Sequence, residues 1–237
     1  MSLSYPPSAV IFDCDGVLVD TEPLHYKAYQ EVLQPFGLGY DYEAYLNLYI
    51  GFDDRDAFLA VFEQAKRPLE PPALEGLIDA KSKALQAIAS RGIPSFPGVV
   101  ALVQDLVDHG VPLAVASGAL RSEVEMFVSV LGLSQAFRII VGADDVSRSK
   151  PDPETYILAL ERLRENMGLP RLDPRSCIAI EDTPAGIRSA KGADLFVIAV
   201  ANSYPVDHLN QADHVVESLA ELKAADLEKL IRPKDRG

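Results

Sequence analysis

The chain has 237 residues, 48% of them hydrophobic and 24% charged, enough to bury one or two ordinary cores without disulfide staples. Its formal charge is −13 with a pI near 4.7, which argues against a nucleic-acid partner, because such a partner requires a basic footprint. No stretch approaches the roughly 20 apolar residues of a membrane span, and no membrane partner is expected. Cys14 and Cys177 stand far apart and read as reduced thiols. The opening MSLSYPPSAV lacks the basic and apolar regions of a signal peptide, so a cytoplasmic protein is expected; Met1-Ser2-Leu3 reads as an expression remnant.

Ala9–Phe12 is a short, β-branched apolar run that reads as a buried strand, stopped by the turn cluster Asp13-Cys14-Asp15-Gly16. The next stretch is helical in pattern. Helices are predicted at His25–Phe36 (ended by Gly37), Tyr42–Ile50 (ended by Gly51), Asp54–Ala65 and Leu74–Ser90, the last closed by Gly92 and Pro94. Strand–helix alternation then returns. Helices are predicted at Val99–His109, Glu123–Leu131, Pro153–Asn166, Ala185–Gly192 and Leu219–Leu230. Strands are predicted at Pro112–Ala116, Ile139–Val141, Cys177–Ile180, Leu195–Val200 and His214–Val216. Repeated βα units imply a parallel sheet with helices on both faces, a doubly wound, Rossmann-like α/β core over 1–20 and 94–237. The helical block, 21–93, reads as a small domain inserted after the first strand, joined through Val17–Pro23 and Ile93–Gly98. The Arg232–Arg236 segment reads as a frayed tail.

In an open parallel sheet, ligands bind beyond the carboxyl ends of the strands. The first strand ends in Asp13 and Asp15, the next core strand in Ser117-Gly118, and Cys177–Ile180 in Glu181-Asp182, while Lys150 precedes a helix entrance. Four carboxylates in one crevice would repel unless a hard cation joined them, and Mg²⁺ takes carboxylates, water and phosphate oxygens. Lys150 supplies a fixed positive charge, and Ser117 with the backbone at Gly118 suits a phosphate at a helix start. Together these groups describe phosphoryl transfer, with one carboxylate as nucleophile and another moving the proton. Glycine-rich nucleotide motifs, a nucleophile elbow around Ser117 and zinc-ligand spacing are all absent.

Four segments resemble the motifs of the haloacid dehalogenase superfamily. They are Asp13–Glu22 (DCDGVLVDTE), Ser117-Gly118, Ser149–Pro153 (SKPDP) and Ile180–Gly186 (IEDTPAG). The helical insertion resembles the small cap of the subgroup containing β-phosphoglucomutase and phosphoglycolate phosphatase. The resemblance implies roles. Asp13 would become an aspartyl phosphate, and Asp15 would act as general acid/base with its carbonyl on Mg²⁺. Ser117, Gly118 and Lys150 would hold the phosphoryl group, and Glu181 and Asp182 would complete the metal site. In the cap, His25, Arg55 and, more loosely, Lys81 and Lys83 would face substrate, whereas Tyr42, Tyr45 and Tyr49 read as cap core. Sugar phosphomutases of the group follow the second-motif serine with a polar Ser-Lys-Asn type run; here it reads Gly118-Ala119-Leu120-Arg121, with Arg121 as a candidate for a distal phosphate. That departure favours a Mg²⁺-dependent phosphatase of a small phosphorylated metabolite, a sugar phosphate foremost, over a β-phosphoglucomutase-like enzyme. A non-enzymatic regulatory member is the remaining alternative. A monomer or weak homo-oligomer is expected.

Overall fold

The computed structural model describes residues 7–49, 52, 54–166, 168 and 170–231. Six strands form one sheet in the order β3-β2-β1-β4-β5-β6, every neighbouring pair parallel. They are β1 (Ala9–Phe12), β2 (Leu113–Ala116), β3 (Ile139–Val141), β4 (Cys177–Glu181), β5 (Phe196–Val200) and β6 (His214–Val216). All residues of β1, β2 and β4 are buried, as expected for strands covered on both faces. Ala9 and Ile11 pack with Ala114, Ala179, Tyr156 and Ile187 in one core cluster. Phe12, from the alternate register, meets Phe137 edge-on at 5.5 Å.

The chain divides into two compact units, one of residues 1–20 and 94–237, the other of Thr21–Ile93. The first also holds α5 (Val99–Asp108), α6 (Arg121–Val130), α7 (Glu154–Asn166), α8 (Pro184–Gly192) and α9 (Ala224–Ile231). Within it, Val19 bridges Ser95 in antiparallel fashion, and the Asp20 N–H donates to the Pro94 carbonyl at 2.9 Å. The helical unit consists of α1 (Glu22–Leu33), α2 (Tyr42–Leu48), α3 (Asp54–Gln64) and α4 (Pro71–Ala89), packed around Tyr29, Leu33, Tyr45, Phe58, Phe62 and Leu74.

Several boundaries differ from the sequence pattern for identifiable reasons. The helix expected at His25–Phe36 begins three residues earlier, with Pro23 in its first turn where no amide donor is needed, and ends at Leu33. Pro35 lacks the amide to continue it, so Gln34–Phe36 is a 3₁₀ turn closed by left-handed Gly37. Pro71 and Pro72 likewise start α4 ahead of Leu74. The helix expected over Leu219–Leu230 is broken: Leu219–Glu221 is a 3₁₀ turn capped by Ser218, Leu222 is extended, and α9 follows. Tyr42, expected in the cap core, is 39% exposed at the start of α2, whereas Tyr45 and Tyr49 are buried. The expected helix end at Ile50–Gly51, the opening Met1–Leu3 and the Arg232–Arg236 tail lie outside the described residues.

Candidate active site

Strand order reverses at β1, which puts the carboxyl ends of β2, β1 and β4 side by side at the topological switch point. Phe12 is in register with both Val115 and Ile180, so Asp13 emerges beside the ends of β2 and β4. The Asp13 N–H extends the ladder to the Ile180 carbonyl at 2.9 Å, and Ser117 N–H reaches Val141 at 2.9 Å. Three of the four motifs recognised in the sequence therefore share one edge, and Lys150 of the remaining motif reaches Asp13.

Two glycines make room for the acids. Gly16 has φ +78°, and a Cβ there would collide with the Asp182 carboxylate and the Ser203 hydroxyl. Gly186 faces the Glu181 carboxylate, which fills the space a Cβ would need. The turn after β4 is tight because Thr183 accepts from Gly186 N–H at 3.0 Å and Pro184 supplies the first residue of α8. Gly186→Ala would therefore push Glu181 aside. The expected result is a loss of roughly 100-fold in kcat and about 1–3 kcal/mol of stability, read from initial rates and urea midpoints.

Asp13, Glu181 and Asp182 are buried, and one carboxylate oxygen from each lies within 4.8 Å of the others. Lys150, its side chain 11% exposed, reaches Asp13 Oδ1 at 2.9 Å and Glu181 Oε1 at 2.6 Å. Burial disfavours its charge, but the two carboxylates outweigh that and hold its pKa above the ordinary value. Burial and the neighbouring Glu181 charge push the Asp13 carboxyl well above the usual range, and Asp182 up to about 7 for the same two reasons. Asp182 Oδ1 is buried without a hydrogen-bond partner. Three crowded acids with one orphaned oxygen are a donor set suited to a hard divalent cation, and the residues present fit Mg²⁺. Asp15 is half-buried two residues beyond Asp13, outside this triad of side chains.

Ser117 is buried, and its Oγ accepts the Ala119 N–H at 3.0 Å, which leaves the hydroxyl proton for another acceptor. Gly118 is exposed beside it. The first amide of α6, on Arg121, is occupied by Asp144 Oδ1 at 2.8 Å. The Arg121 guanidinium pairs with Glu125 at 2.9 Å and Asp145 at 3.8 Å.

The sequence reading missed three core residues. Asn202 donates to the Gly16 carbonyl at 2.7 Å, and the neighbouring Ser203 bonds the Asp182 carboxylate. Because Oδ1 is orphaned, that bond falls on Oδ2. Tyr156 donates to Glu181 Oε1 at 2.6 Å. Asn202 and Ser203 follow β5 as an ordinary polar turn, and Tyr156 reads as a core aromatic at helical spacing, so neither carried a signal. Cys14 and Cys177 are free and buried, and burial pushes both thiols upward.

Within the helical unit, the candidates separate. His25 Nδ1 accepts from Lys81 Nζ at 2.8 Å, and Lys81 also bonds Asp54 at 2.6 Å, which in turn accepts from Tyr29 at 2.7 Å. Lys81 is buried. Lys83 is 72% exposed and pairs with Asp79. Arg55 is exposed, and from α3 it is the adjacent Asp54 that joins the cluster.

Burial, with the Lys81 charge second, lowers the His25 pKa from 6.5 to about 3. The folded chain then binds fewer protons here than the unfolded chain below pH 6.5, so His25 costs stability as pH falls through that point. His25→Gln is expected to remove about 1–2 kcal/mol of the loss between pH 7 and 4, a discounted figure because His25 is not fully buried. Near-ultraviolet dichroism reads this directly, since the chain has no tryptophan and six of its nine tyrosines (26, 29, 40, 42, 45 and 49) lie in this unit.

This sheet order with its acidic switch point suits a class of α/β enzyme that handles phosphoryl groups. A family model described as haloacid dehalogenase-like hydrolase matches residues 10–200. The chain belongs to that family. It is 34% identical over 194 residues to the fructose-1-phosphate phosphatase YqaB of Escherichia coli, covering 81% of this chain and 96% of that one. It is 30% identical over 224 residues to a bifunctional riboflavin kinase/FMN phosphatase of Arabidopsis thaliana, covering 94% of this chain but only 56% of that protein's length. Among solved structures, CbbY from Rhodobacter sphaeroides in complex with xylulose-(1,5)bisphosphate superposes with a TM-score of 0.76 at 29% identity, covering 91% of this chain and 96% of that one. No helix among the described residues is long and apolar enough to cross a membrane.

Proposed function

We propose that this phosphoric monoester hydrolase is a Mg²⁺-dependent phosphatase of a small phosphorylated carbohydrate, acting through an aspartyl phosphate. The observation that carries the reading is the buried Asp13–Glu181–Asp182 triad with Lys150 bridging Asp13 and Glu181. The phosphorylated carbohydrates in the names of the E. coli and Rhodobacter relatives support the substrate class.

Asp13 and Asp182 would hold Mg²⁺ with the Asp15 carbonyl, and Glu181 would sit against them. When bound, the cation neutralises charge on the phosphoryl oxygens. Lys150 and the Ser117 hydroxyl bind and orient the phosphoryl group. A carboxylate oxygen of Asp13 attacks phosphorus, the bond to the ester oxygen breaks, and Asp15 gives that oxygen a proton. Asp15 then takes a proton from water as it attacks the aspartyl phosphate, releasing phosphate and restoring Asp13.

A panel of phosphorylated sugars and small acids, with Mg²⁺, tests the reading through phosphate release and isomer formation together. Phosphate from a narrow group of sugar monophosphates is expected. Conversion of β-glucose 1-phosphate to glucose 6-phosphate without net release would instead make the protein a mutase.

A further inference from the structure

Tyr156 is fully buried in α7, and the chemistry above assigns its hydroxyl nothing to do. Phenylalanine would fill the same apolar space without requiring an acceptor, so packing alone does not account for the hydroxyl. It donates to Glu181 Oε1 at 2.6 Å, the same oxygen that accepts from Lys150 Nζ at 2.6 Å. The Lys150 ammonium also lies 5.1 Å from the centre of the Tyr156 ring and 2.9 Å from Asp13 Oδ1. The other Glu181 oxygen faces Asp182 N–H at 3.3 Å and Thr183 Oγ1 at 3.5 Å.

A carboxylate oxygen offers about two lone-pair sites. The tyrosine hydroxyl takes one on Oε1 and leaves Lys150 the other. The ammonium is thereby kept from settling wholly onto Glu181, and one of its N–H groups stays directed at Asp13. Without the hydroxyl, Glu181 has a free site beside the ammonium and draws it away from Asp13.

We infer that Tyr156 is a positioning residue: by sharing Glu181 Oε1 with Lys150, it holds the ammonium where a phosphoryl oxygen must bind, and so sets the affinity for phosphate without touching it. The inference rests on the phosphatase reading. It also makes a split that a packing role does not. Losing the hydroxyl weakens phosphate binding, while Asp13 and Asp182 still offer their oxygens to a cation.

The test is Tyr156→Phe in the full chain, with two binding measurements. Inorganic phosphate is titrated in saturating Mg²⁺ by calorimetry, and Mn²⁺ is titrated alone by the spin-resonance signal of the free ion. The expected result is phosphate affinity lowered by about three- to tenfold, the loss of one hydrogen bond around a charged group, with Mn²⁺ affinity within about twofold of wild type. Unchanged phosphate affinity overturns the inference. So does a fall in Mn²⁺ affinity of the same size. In case the phenylalanine variant fails to fold, 3,5-difluorotyrosine at position 156 keeps the ring and strengthens the donor. It is expected to bind phosphate at least as tightly as wild type, and weaker binding would overturn the inference. A wild-type chain that binds neither Mn²⁺ nor phosphate would sink the phosphatase reading and this inference with it. A wild-type chain that binds both, beside an unaffected Tyr156→Phe, sinks this inference alone.

Discussion

Asp13→Asn is expected to lower turnover by at least roughly 10⁴-fold while leaving the chain folded. The amide keeps the shape of the side chain at the end of β1 but cannot attack phosphorus or carry a phosphoryl group. Folding is expected to change by about 1 kcal/mol or less, because two effects oppose each other. The substitution removes a carboxyl crowded by Glu181 and Asp182, and it deprives Lys150 of one of its two carboxylate partners. Initial rates on the best substrate, beside urea midpoints in Mg²⁺ and in a chelator, separate the two consequences. Residual turnover near the wild-type rate would show that the nucleophile lies elsewhere.

Lys150→Met is expected to have the largest effect on the metal-free fold, a loss of about 3–5 kcal/mol at pH 8, together with activity. The methionine fills the stem's volume but leaves Asp13, Glu181 and Asp182 buried without the cation that bridges two of them. The sign of the pH dependence follows from the raised acids. Between the ordinary carboxylate value of 3.8 and about 7, Asp182 holds more proton in the folded metal-free chain than in the unfolded one, so its contribution to stability falls as pH rises through that window. Removing Lys150 steepens the fall, and acidification to pH 5 or addition of Mg²⁺ restores part of the loss. Chemical denaturation in a chelator at pH 5 and pH 8 checks this. Equal losses at the two pH values would argue that Lys150 acts by packing rather than by charge.

The fold class was legible because its signal is local. Runs such as Ala9–Phe12 and Cys177–Ile180 are buried on both faces and hence apolar throughout, and each is followed by a helix of clear period. The gathering of Asp13, Lys150, Glu181 and Asp182 was also open to inference, since each follows a strand or enters a helix and the topology puts those points on one edge. Less was legible where a side chain's meaning depends on a partner far along the chain. Asn202 matters through Gly16 and Tyr156 through Glu181, and neither pairing leaves a periodicity or a spacing. For Arg121 and Arg55 position alone suggests a ligand; in the structure Arg121 pairs with Glu125 and Asp145, and Asp54, beside Arg55, meets Lys81. Helix ends moved where proline chemistry, at Pro23, Pro35 and Pro71, outweighed the apolar pattern.

The backbone pairing of Val19 with Ser95 and of Asp20 with Pro94 has a consequence for how such proteins can diversify. The chain leaves the sheet-bearing unit and returns to it at adjacent points of a single two-stranded clasp, about 5 Å across. The continuity of the six strands therefore does not depend on what lies between Asp20 and Pro94. A two-residue hairpin turn would satisfy the same clasp as the 73 residues from Thr21 to Ile93. The helical insert is in this sense a cassette. It can be exchanged, enlarged or trimmed by recombination at one closed junction while the chemical apparatus on the sheet edge passes through the exchange intact.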